Sequence, residues 1–120
     1  MSYVDGFVLA VPKKQLPAYK RLAQKASKIF MKHGATSYFE ASADDLKVKM
    51  GMPYTKLLKT KKDETVVFAW ITYKSRKDRD AVNKAIMKDP EMKKLCSTDD
   101  MPFNPKRMSY GGFKIIAKGK

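Results

Sequence analysis

The chain of 120 residues holds a single cysteine, Cys96, and a single histidine, His33. One cysteine excludes an intrachain disulfide, and one residue of each kind excludes a zinc cluster, so no metal and no cofactor is expected. No apolar run approaches the roughly 20 residues that a membrane-spanning helix needs. The N-terminus reads at once as a strand, without the basic-then-apolar region of a signal segment. These features point to a cytoplasmic protein with no membrane partner. A phosphate-binding glycine loop is lacking too, because Gly111-Gly112 has neither the spacing nor the following helix. Acidic residues are scarce: none lies between Asp5 and Glu40, and the formal net charge is +14. Such a field attracts polyanions without selecting among them, and it also keeps a protein soluble. Charge alone therefore decides no function.

What the chain has in quantity is β-branched and aromatic sequence. Thr65 to Tyr73 reads Thr-Val-Val-Phe-Ala-Trp-Ile-Thr-Tyr, the residue types that suit a pleated surface. With period two, Val67, Ala69 and Ile71 share one side, and Val66, Phe68 and Trp70 the other. Both faces are apolar, which predicts a central strand covered on both sides. Tyr3 to Val11 is a second such strand, ended by Pro12, with Asp5 as the exception on its Tyr3-Phe7-Leu9-Val11 face.

Between and after these strands the periodicity changes. Leu16, Tyr19, Leu22, Ala23, Ala26, Ile29 and Phe30 form an amphipathic helical stripe, with Pro17 tolerated in the first turn and Gly34 as a left-handed cap. The outer face of this helix carries Lys14, Arg21, Lys25, Lys28 and Lys32, more often a solvated face than a nucleic-acid track. Ala35 to Ser42 predicts an edge strand, with Tyr38 and Glu40 on one face and Phe39 and Ala41 on the other. A lysine-rich connection follows to Asp63, in which Tyr54 to Leu58 is a short strand or a helical turn. Ser75 to Asp78 resembles a capping box ahead of a helix burying Ala81, Val82, Ala85 and Ile86. Asp89-Pro90 restarts a short helix to about Leu95. Ser97 to Pro105 is a loop. Arg107 to Ala117 is the last strand, where Gly111-Gly112 predicts a bulge or a close approach by another backbone or ligand.

The order strand, helix, strand, strand, helix, strand is the split βαβ pattern of an α+β, ferredoxin-like βαββαβ domain with a four-stranded antiparallel sheet. A single domain spans residues 1–120. Right-handed crossovers place the first and third strands in the centre. Two helices cover one sheet face only, so the other predicts a homodimer packed through the sheet faces.

Several stretches resemble a known family. Tyr3-Val4-Asp5-Gly6-Phe7-Val8 opens the chain, and Val66-Val67-Phe68 leads to Trp70 and Tyr73. Met101-Pro102-Phe103 precedes Lys106-Arg107-Met108, which runs into Tyr110-Gly111-Gly112-Phe113. Their order and spacing, nearly end to end, are similar to the YbaA-like family of small bacterial proteins, a domain of unknown function. The resemblance implies a dimeric α+β barrel, in which two ferredoxin-like protomers join their sheets, and no established activity. The lysine excess and the Lys47 to Lys59 segment depart from that family picture.

Polar residues on strands expected to be covered are the site candidates. Asp5, Glu40, Arg107 and Tyr110 beside Trp70 would form a ligand-binding group, with Glu40 or Asp5 as acid/base, Arg107 as anion clamp, Tyr110 as donor and Trp70 as wall. The structural alternative is that Asp5 and Arg107 satisfy each other on neighbouring strands. Trp70 is by default core. A Ser-His-Asp arrangement would need His33, which ends a helix, where a histidine more often serves the dipole. A homodimeric small-molecule binder or cofactor-independent enzyme ranks first and a structural or regulatory dimer second. A weak, non-specific nucleic-acid binder ranks third, since a sheet face closed by a partner cannot stack bases.

Overall fold

The computed structural model describes residues 2–97 and 101–119. The β-branched run becomes strand β3, Glu64–Tyr73, flanked on one side by β1, Tyr3–Pro12, and on the other by β2, Ser37–Ser42. Strand β4, Met108–Lys114, pairs with the free side of β1. All pairs are antiparallel and the order is β2-β3-β1-β4, so the two strands with two apolar faces occupy the centre. β2 is the edge strand that its weaker pattern predicts. The second strand begins at Ser37 rather than Ala35, because the cap after the first helix uses Ala35. The last ends at Lys114 rather than Ala117, where β1, its partner, has run out.

Helix α1, Leu16–Lys32, follows a short 3-10 turn and takes Pro17 in its first turn. It ends in a Schellman motif: Ala35 N–H donates to Phe30 C=O, Gly34 N–H to Met31 C=O, and Gly34 sits at φ +114°. Ser75 caps α3, Arg76–Lys88, by accepting the Asp78 N–H, and Asp89 caps α4, Pro90–Cys96, by accepting the Glu91 N–H. Val82 and Ile86 of α3 are buried, but Ala81 faces solvent. The lysine-rich connection contains a one-turn helix, α2, Tyr54–Leu57. Part of the loop between α4 and β4, residues 98–100, lies outside the described residues.

The helices pack on one sheet face in two buried clusters. Tyr3, Ile71 and Tyr73 of the sheet meet Ile29, Val82 and Ile86 of the helices, while Leu9, Val11 and Val67 meet Tyr19. The opposite face carries a row of rings. Phe39 and Phe68 lie 5.2 and 5.4 Å from Trp70 between centroids, and Tyr54 of α2 lies 6.4 Å from Phe68. Phe39, Phe68 and Phe113 are 53%, 41% and 60% exposed. Exposed apolar residues grouped on one sheet face make it a candidate interaction surface.

No bulge interrupts β4 at Gly111-Gly112, whose register with β1 is continuous. A close approach is the reason for Gly112: a Cβ there would collide with Tyr3 Oη and the edge of its ring. The approaching group is a side chain of the same protomer, rather than a backbone or a ligand.

Candidate functional site

Glu40 is placed by β2, opposite Ala69 of β3, on the face that the helices cover. Tyr38, two residues earlier on the same face, donates from its hydroxyl to Glu40 Oε2 at 2.6 Å. Tyr19, carried across by α1, donates to Glu40 Oε1. Burial pushes both phenols well above the ordinary tyrosine value, and the Glu40 carboxylate reinforces the effect. They are therefore neutral donors, and the carboxylate accepts.

This clasp stands between two cavities. An outer groove of about 460 Å³ runs between α1 and β2, bordered by Leu16, Lys20, Gln24, Ser27 and Ser42. An inner cavity of about 170 Å³ lies where the two buried clusters meet, walled by Phe7, Phe30, Ile71, Met92, Phe103 and Met108. Tyr19, Ala23, Tyr38 and Glu40 line both. The small side chains Ala23 and Ala69 leave the space; larger residues there would fill it. A carboxylate with free lone pairs, held by two phenols at the mouth of an apolar cavity, can accept a proton or a hydrogen bond from a bound molecule. Among the described residues no group of three or more His, Cys, Asp or Glu side chains is placed to hold a metal ion.

The five residues marked in the sequence do not converge. Asp5 is buried on the helix face, but its cation is Arg79 of α3, with Nη1 at 3.4 Å from Oδ1. Arg107 lies in a 3-10 turn before β4, and the register sets Gly112, not Arg107, opposite Asp5. Five residues of strand separate the two levels, about 17 Å at the normal rise. Arg107 instead donates to Glu64 Oε1 at 2.6 Å and to the carbonyls of Leu58 and Lys59, fastening the lysine-rich connection. Trp70 belongs to the other face of the sheet, within the ring row. Tyr110 is on the helix side at the edge, stacked on Phe7 with centroids 5.5 Å apart. Glu40 alone of the five lines the cavities.

Tyr19 and Arg79 are the partners that sequence reasoning missed. Tyr19 reads only as one more apolar position in the α1 stripe, and nothing local in the sequence singles out Arg79 on α3. His33 serves as the α1 C-cap residue, with Nε2 2.6 Å from Asp89 Oδ2. That contact, with the Glu91 N–H and Lys32, holds the Asp89 carboxyl far below the usual carboxylate range despite its burial.

Element order, sheet order and the one-sided helix layer define a ferredoxin-like α+β domain. The chain belongs to the family described as "Protein of unknown function (DUF1428)", whose model matches residues 2–105. It is 43% identical over 116 residues to the uncharacterized protein YbaA of Escherichia coli strain K12, covering 97% of each chain. Among solved structures it is similar to Rv0793 from Mycobacterium tuberculosis, with a TM-score of 0.60, 12% identity and 100% of each chain covered. It is also similar to a dimeric ferredoxin-like protein from an uncultured marine organism, with a TM-score of 0.56, 12% identity, and 99% and 100% of the two chains covered. At these identities the solved structures establish the fold.

Proposed function

We propose that this protein is a homodimer that binds a small molecule in the cavity at Glu40 and can act on it without a cofactor, with Glu40 as the acid/base group. The observation that carries the reading is the meeting of two cavities at one carboxylate held by two phenols. The dimer reading draws on the exposed ring row and on the description of one similar solved structure as dimeric. In this reading Asp5 and Arg107 are structural, Tyr110 backs the cavity wall through Phe7, and Trp70 serves the dimer face.

The test is a thermal-shift screen of small molecules against the wild type, Glu40→Gln and the cavity-filling Ala23→Leu. A ligand at about a hundred times its Kd stabilises by about 2.7 kcal/mol, a shift easily read. The gain is expected to shrink in both variants. Ligand-induced shifts that neither variant changes would refute the site.

A second reading, weak and sequence-indifferent nucleic-acid binding, draws on the exposed lysines of α1 and on the row Phe39–Trp70–Phe68. The row is open to bases only in a monomer. Retention of RNA on filters across a salt series should collapse at moderate salt, because lysines supply point charges without bidentate readout.

A further inference from the structure

We propose that the ligand of the Glu40 cavity is an organic cation: an ammonium or protonated nitrogen attached to an apolar body about the size of an aromatic ring. The inference rests on the cavity reading above and adds the charge class of what fills it.

The first ground is a missing counter-charge. The chain has 26 lysines and arginines against 12 acidic residues, so carboxylates have cations to spare. Three other covered carboxylates use them: Asp5 has Arg79, Glu64 has Arg107, and Asp89 has Lys32 and His33. The half-buried Asp78 has no ion-pair partner among the described residues but sits in the first turn of α3, where the helix dipole favours it. Glu40 has none among the described residues, although Lys20 lines the same outer groove. Its partners are two neutral hydroxyls. Hydrogen bonds from phenols satisfy lone pairs and leave the charge unbalanced, and a covered charge is costly unless paired.

The second ground is the wall. Tyr19 stands edge-on to Phe103 with centroids 5.5 Å apart, and Tyr38 stands at the same 5.5 Å from Phe30. All four rings and Phe7 line the inner cavity with Glu40. Aromatic faces attract cations through their quadrupole, most strongly where water is excluded, and several rings around one anion are a recognised way to hold an ammonium group. The inner volume of about 170 Å³ suits a single ring or a short branched chain, and the outer groove admits whatever extends from it. An anionic ligand would meet Glu40 directly. A neutral alcohol could hydrogen-bond but would leave the charge standing. The chain's net positive field is no bar, since it is screened beyond about 8 Å at physiological ionic strength.

The experiment compares ligands of one shape and different charge. Benzylamine, benzyltrimethylammonium, benzyl alcohol and benzoate are titrated into the full-length protein by calorimetry, with melting temperatures in parallel. The cations are expected to bind at least about tenfold more tightly than benzyl alcohol, and benzoate not at all. Glu40→Gln, which keeps the shape, should remove the preference, while Tyr19→Phe should keep it. Should Glu40→Gln fail to fold, the charge series on the wild type still decides. Equal binding of amine and alcohol, or a preference for benzoate, overturns the cation assignment while leaving the cavity reading in place. Binding by none of the four, to a protein that also shows no ligand in the wider screen, overturns both.

Discussion

Removal of the Arg79 side chain is the sharpest test of how this fold handles charge. Asp5 is 4% exposed on the central strand β1, and Arg79 is its only cation among the described residues. Arg79 also donates from Nη2 to Tyr3 Oη at 3.2 Å and lies 5.0 Å from the centre of the Tyr3 ring. Stripping one partner from a buried pair costs about 3–5 kcal/mol, because a desolvated charge remains. The Arg79 side chain is 18% exposed, so water can reach part of the gap, and the lower end applies. Arg79→Ala should therefore lose about 3 kcal/mol at neutral pH, or roughly 12 °C in Tm for a chain of this size.

The loss should also depend on pH in a defined sense. Burial raises the Asp5 carboxyl above the ordinary aspartate value, and Arg79 opposes the rise. A folded carboxyl with a raised pKa holds its proton more tightly than the unfolded chain does. Its contribution is most favourable below the unfolded value and declines as pH rises through the folded one. Without Arg79 the folded value climbs further, so the deficit should shrink toward about 1 kcal/mol as the pH is lowered to near 4. Asp5→Asn in the Arg79→Ala background should recover most of the neutral-pH loss. Urea unfolding at both pH values measures this. A loss below about 1 kcal/mol at neutral pH, or a deficit that grows on acidification, would refute the reasoning.

Three other changes probe the frame. Gly112→Ala should cost about 1–3 kcal/mol, because its Cβ would displace Tyr3 Oη from a position that Arg79 fixes. Gly111→Ala, whose Cβ meets the Phe113 ring at 3.9 Å, should stay within about 0.5 kcal/mol, and the pair is read by thermal melts. Arg107→Ala should cost about 1–3 kcal/mol by leaving Glu64 and two carbonyls short of a donor. It should also speed tryptic cleavage at Lys59, Lys61 and Lys62, followed by gel and mass spectrometry.

Period-two and helical patterns carried the fold because burial acts residue by residue. Val67, Ala69 and Ile71 on one face of β3 and Phe68 and Trp70 on the other are separated in the structure as their alternation requires. The Gly34 cap and the Ser75 and Asp89 caps were legible because each satisfies backbone groups within a few residues. The charge pairings were not legible. Asp5 on β1 and Arg79 on α3 meet only because α3 crosses the sheet where it does. Arg107 misses Asp5 through a register that no local signal sets. Glu40 stood out as a charge on a covered strand, but its clasp to Tyr19 spans 21 residues and depends on α1 lying over β2. Side-chain partners across layers are a property of packing, which alternation does not encode.

The central claim is that the ring-bearing sheet face belongs to a partner chain, which leaves the helix-side cavity at Glu40 as the working site. Sedimentation velocity at micromolar concentration, on the wild type and Trp70→Arg, tests it most directly. The account predicts a wild-type species of twice the 13.7 kDa chain mass. The variant, with a charge placed among Phe39, Phe68 and Trp70, should run as a folded monomer. A wild-type monomer, or a dimer that Trp70→Arg leaves intact, would contradict the account.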